Sequence, residues 1–171
     1  MPWDQFWKEK IPTKNQIVSK WIFGQGKLPP KANVDKAHHL NRNEVLQSRT
    51  CEADVQQLRQ SHVVKVRMVV RKEPNLIIFR VFNQVTGAPY TDCFNPEEEW
   101  VITGIDESCP KCIIRHSVFI NFHKGTMMQG LITKKSFSAQ QSNFKAWASW
   151  VKEELHKHLN LSAQRREYEM G

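Results

Sequence analysis

Between His62 and His123 apolar side chains return at every second position, and that period belongs to β-strands rather than helices. In His62–Arg71, Val64, Val66, Met68 and Val70 point one way while Lys65, Arg67 and Arg71 point the other, with Val63 and Val69 joining them, as in a half-buried strand. Glu73, Pro74 and Asn75 form a turn, so Leu76–Val85 returns as the second arm of an antiparallel hairpin. Gly87, Pro89 and Asp92 punctuate the next connection, and Trp100–Ile105 reads as a third strand. A turn over Asp106–Lys111 leads to Cys112–His123, where Ile114, Val118, Ile120 and Phe122 share one face and Ile113 and Phe119 the other. Gly125 and Thr126 then turn the chain into a fifth strand, Met127–Lys134.

The period changes to 3.6 at Lys135–Ser138. Ser138-Ala-Gln-Gln141 has the form of a capping box, and Phe144, Trp147, Ala148, Val151, Leu155 and Leu159 follow at steps of three and four, predicting a helix over 139–159. Beyond Leu161 the stripe is lost, and residues 162–171 are expected to fray as a polar tail. The expected fold is α+β in a single domain over residues 1–161, a curved antiparallel sheet with one long C-terminal helix packed on it, the helix-grip layout. Such a layout leaves room for an apolar ligand between its two layers.

The first 60 residues are harder to read. Trp3, Phe6, Trp7 and Ile11 fall at helical spacing before Pro12, Gly24, Gly26, Pro29 and Pro30 break the chain, and residues 31–60 show no period. The net charge of +8 is concentrated here: residues 1–74 hold 14 basic and 7 acidic side chains, a balance of +7, against +1 for the remainder. That field suits an anionic membrane, a nucleic acid or an acidic protein, and scattered lysines also serve solubility alone. Trp3, Trp7, Lys8, Lys10 and Lys14 are the candidates for membrane contact, although the same aromatics equally suit a core. No recognised nucleic-acid-binding motif accompanies the lysines, which argues against that class of partner.

No apolar run exceeds Leu76–Phe79, far short of the ~20 residues that cross a bilayer, and the N-terminus lacks the pattern of a secretory signal. A cytosolic protein, peripheral at most to a membrane, is expected. Four cysteines fit a reducing compartment. Cys109-Pro-Lys-Cys112 has zinc or redox spacing, yet no second ligand pair lies nearby, so a tight turn is the simpler reading and neither metal nor cofactor is expected. Glu97-Glu98-Glu99 reads as a solvated face, and without a nucleophile elbow or phosphate loop the sequence argues against an enzyme.

The order of certain residues adds a resemblance. Phe82-Asn-Gln-Val-Thr-Gly87-Ala-Pro89-Tyr90-Thr91-Asp92-Cys93-Phe94, then Trp100, then Val118-Phe-Ile-Asn-Phe122-His-Lys124-Gly125-Thr126-Met-Met-Gln-Gly130-Leu-Ile132 and the Trp-bearing helix resemble the VASt domain, also called ASTER, a StART-like sterol-transfer fold. The resemblance covers residues 62–159. It implies lipid binding, with a sterol as the ligand. A dry cavity of roughly 300 Å³ or more would then be lined by Ile114, Val118, Ile120, Phe122 and Leu131 on the sheet and Phe144, Trp147 and Val151 on the helix. His116 alternates onto the same face and is the candidate partner for a ligand hydroxyl, although a lone histidine there is more often satisfied by neighbouring backbone. The alternative is a protein-interaction module of the same fold, with six Trp and nine Phe filling the interior.

Overall fold

The alternating segments build one antiparallel sheet. The computed structural model describes residues 5–6, 9–11, 13–30, 34–55, 61–106 and 109–169. Its strands are β1 (Thr13–Val18), β2 (Ile22–Phe23), β3 (Gln47–Val55), β4 (Ser61–Glu73), β5 (Leu76–Thr86), β6 (Phe94–Asp106) and β7 (Cys109–Phe122). They lie in the order β1-β3-β4-β5-β6-β7, with β2 also pairing β3. From β3 onward each strand pairs antiparallel with the next in sequence, so the sheet is a meander whose contacts are local in the chain. A register shift between Val69 and Arg71 accommodates Val70, a bulge that ends the regular alternation of β4.

The single long helix, α1 (Gln129–Glu169), starts ten residues before the predicted one and occupies the segment read as a fifth strand. Ile132 and Thr133 gave that segment its β character, but Thr126 decides the outcome. Its hydroxyl accepts from the Met128 N–H at 3.2 Å and its carbonyl from the Gln129 N–H at 3.3 Å, so Thr126 caps the first turn and Thr126-Met-Met-Gln129 is itself of capping-box form. Ser138-Ala-Gln-Gln141 lies within the helix. At the other end α1 continues as helix through the segment expected to fray, to Glu169.

Both faces of the sheet are covered. On one, Val66, Met68 and Phe82 pack with Val34 and Val45, with Leu28, Ala37 and Leu40 closing over them, so the first part of the segment without a readable period covers a core and the later part is the strand β3. A short 3-10 turn, Arg42–Glu44, is capped by the Asn41 side chain, and Glu97 ties this cover to β6. The Glu97 carboxylate accepts from the backbone N–H groups of His38 at 2.7 Å and His39 at 3.0 Å, and from the Asn121 side chain. On the other face Val81 and Trp100 pack with Phe6 and with Trp147 and Trp150 of α1. Residues 5–6 and 9–10 are helical, and Phe6 meets the Trp150 ring at 5.8 Å, so the N-terminal aromatic that is described serves the core.

Two further expectations change. Glu97 and Glu98 are 5% exposed and not a solvated face, because alternation sends one into each core. Cys109 and Cys112 lie within β7, opposite Asp106 and Gly104, not in a tight turn.

Candidate functional site

The helix-facing side of the sheet carries charge where the sequence suggested apolar residues and His116. Lys65 and Arg67, assigned by alternation to the solvent side of β4, are 8% and 6% exposed and face the space beneath α1. Alternation gave their shared direction correctly; it could not tell that α1 and the N-terminal segment cover that side.

Glu98 stands at the centre of this polar group. One carboxylate oxygen lies 3.5 Å from the Lys65 ammonium and accepts from the Asn83 amide at 3.1 Å; the other accepts from the Trp100 indole at 3.2 Å and lies 3.1 Å from His116 Nε2. Strand register explains the convergence. Lys65 pairs with Asn83, Val81 with Glu98 and Trp100 with His116, so the groups occupy neighbouring positions on one face of four strands. Burial alone would push the Glu98 carboxyl up, but the Lys65 charge and the His116 and Asn83 hydrogen bonds outweigh it and hold the group well below the usual carboxylate range. Burial pushes the Lys65 ammonium down, Glu98 opposes that shift, and the Arg67 charge adds to it.

Aromatic rings wall the group in. Trp100 stacks on Phe79 at 5.4 Å and on His116 at 4.0 Å, and meets the edge of Trp147 at 5.0 Å. Phe144 stacks on His116 at 5.2 Å and also meets Trp100 at 5.4 Å, so the three rings form one cluster. Between these rings, Lys65, Arg67, Glu98 and the helix amides Gln140 and Asn143 lies a partly open cavity of about 30 Å³. That is room for about two water molecules and is an order of magnitude below the volume of a typical ligand site.

His116 and Phe144 border this cavity, and Ile114, Trp147 and Val151 belong to the aromatic core beside it. The remaining candidates lie elsewhere. Val118 is half-buried opposite Glu98, Ile120 pairs with Pro96, and Phe122 lies 5.7 Å from Phe94, further along β7. Leu131 is 45% exposed in the first turns of α1, a consequence of the helical start described above. Trp150, which is not part of the apolar stripe read from the sequence, is buried against Phe6. Of the membrane-contact candidates, Lys10 and Lys14 are exposed, and Trp3, Trp7 and Lys8 lie outside the described residues. Among the described residues no group of three or more His, Cys, Asp or Glu side chains could hold a metal ion, and no helix is long and apolar enough to cross a membrane.

A sheet that grips a C-terminal helix, with aromatic and polar groups between them, matches the expectation drawn from residues 62–159, and comparison of sequences extends it. Residues 4–139 match the family described as the VAD1 Analog of StAR-related lipid transfer domain, VASt. The chain belongs to the VASt family. VASt domains are StART-like lipid-binding domains, so the residues that gave no period, 31–60, fall within the matched fold, while most of α1 lies beyond it. No curated protein matches the chain.

Proposed function

We propose that this VASt domain binds a lipid between the sheet and α1 without catalysing a reaction on it. Membership of a lipid-binding family carries the reading, and the cavity between the aromatic rings supports its position. The present void is too small for a lipid, so entry requires α1 to move outward. By backbone α1 runs nearest β7, while its Trp147 and Trp150 pack on Val81 and Trp100 of β5 and β6, so such a movement opens the aromatic core and leaves the sheet paired. A sterol is the ligand suggested by the family resemblance; its hydroxyl would meet His116 and its rings would replace the contacts of Phe144 and Val151.

Membrane contact accompanies this reading. Lys10, Lys14 and Lys20 are exposed, and Ile17 and Phe23 on β1 and β2 are 61% and 68% exposed, the mixture that an anionic membrane surface attracts. The filled interior favours a second reading, a protein-interaction module of the same fold. Incubation with liposomes holding a fluorescent sterol and a fluorescent phospholipid, followed by gel filtration, separates the two readings. Stoichiometric co-elution of either lipid supports binding, and protein that emerges lipid-free supports the module. A Val118→Trp variant that folds but loses co-eluting lipid would place the ligand at this interface.

A further inference from the structure

The meander leaves two edges, and they differ. β1 is 6 residues long and its pairing with β3 is broken between Lys14 and Ile17, where Asn15 takes a φ of 53°. β7 is 14 residues long, pairs with β6 without interruption from Cys112 to Phe122, and ends the strand order. Among the described residues no other strand pairs with its outer edge, so a row of main-chain donors and acceptors there has no ladder partner. Ile114 and His116 turn toward α1, which sends Lys111, Ile113 and Arg115 to the opposite face. There Ile113 is 59% exposed, and Lys111 and Arg115 on either side of it are exposed as well. Neither cation has a carboxylate partner among the described residues. Cys112, on the helix side, is also exposed, so α1 does not cover this end of the edge. The charges restrict what pairs here. In a second copy joined by its own β7, the antiparallel register that brings the two Ile113 side chains together sets each Lys111 opposite an Arg115, and like charges directly opposite are destabilising. An acidic strand turns the same two charges into attraction.

We propose that the outer edge of β7 receives an extended segment of a partner protein as an added strand, and that this segment carries an apolar residue with Asp or Glu two positions away on each side. The apolar residue lies across from Ile113 and the two carboxylates across from Lys111 and Arg115, while main-chain hydrogen bonds to β7 hold the segment in place. The cavity beneath α1 lies on the other face of the sheet, so this contact does not depend on a bound lipid.

Fluorescence anisotropy of the full chain with the labelled peptide Thr-Thr-Glu-Thr-Ile-Thr-Glu-Thr-Thr tests the proposal. Replacing both glutamates of the peptide by lysine should weaken binding by about tenfold, since two attractions become two repulsions. Lys111→Glu together with Arg115→Glu should reverse that preference, and because both side chains are exposed the variant keeps the fold. In an added strand only alternate residues turn their N–H groups toward β7, so N-methylation of one alternating set in the peptide should abolish binding while methylation of the other set leaves it. Equal effects of the two methylated sets overturn strand addition, and a charge preference that the double variant does not reverse overturns the site. Absence of binding at about 1 mM peptide overturns both. A dimer seen by sedimentation equilibrium that Ile113→Glu disperses would give the edge to a second copy and overturn the proposal as well.

Discussion

Glu98 shows how one side chain ties stability to pH. Its folded carboxyl titrates below the ordinary value of about 4.3, so as pH falls the unfolded chain takes up that proton first. The stabilisation is therefore complete above the ordinary carboxylate range and is lost as pH drops through it toward the folded value. Lys65 gives a slope of the same sign at the alkaline end: its folded value lies below that of a free lysine, the unfolded chain holds more protons between the two, and stability rises with pH across that window, as the cost of burying the ammonium disappears. Glu98→Gln should cost about 3 kcal/mol at neutral pH, because Lys65 loses the charge it faces, and should flatten the acid limb. Urea unfolding at a series of pH values checks both, and an unchanged acid limb would mean that other carboxylates govern it. Nothing in Glu97-Glu98-Glu99 announces this role. Three adjacent carboxylates normally coat a surface, and only burial of both sheet faces turns alternate members inward.

At the scale of elements, β4 to β7 were legible, whereas β1 to β3 and the boundary between sheet and helix were not. The hairpin about Pro74 and Asn75 follows from the turn residues and the β-branched run beside them, and the structure pairs Glu73 with Leu76 across it. The start of α1 was misplaced because two capping-box patterns lie twelve residues apart, and propensity at Ile132 and Thr133 favoured the later one. The helix face was partly legible: Phe144, Trp147 and Val151 do turn toward the sheet, joined by Trp150, whereas Leu155 is 56% exposed. Of the residues that border the cavity, the sequence pointed to His116 and Phe144 and not to Lys65, Arg67, Glu98, Gln140 or Asn143, because polar residues on an alternating strand or a helix flank read as solvent-facing until a covering layer is known. Along α1 the packing predicts a steep gradient. Trp147→Ala should destabilise by about 3–5 kcal/mol, and Leu155→Ala by under about 1 kcal/mol, since the first empties a core position and the second removes little buried area. Thermal denaturation of the two variants checks the contrast, and equal losses would mean that the helix packs along a different face.

For the whole molecule, the uneven charge gives the membrane reading a form that vesicles test. The first 74 residues hold nearly all the net charge, and there Lys10, Lys14 and Lys20 are exposed beside the exposed Ile17 and Phe23. A second basic and apolar surface competes with it at the start of α1, where Met127, Leu131 and Phe137 are exposed among Lys134 and Lys135. Surface attraction acts over about a Debye length, so only charges that approach the bilayer contribute, each altering affinity by about fivefold. Sedimentation with phosphatidylserine vesicles at low salt should therefore fall by about a hundredfold in affinity when Lys10, Lys14 and Lys20 become glutamine, and hardly change when Lys134 and Lys135 do. Phe23→Ser should weaken binding at every salt concentration, because its contribution is burial in the interface rather than charge. The reverse ranking of the two lysine sets would orient the domain by α1, bringing the helix that covers the cavity against the bilayer, and binding unaffected by either set would remove charge as the attraction.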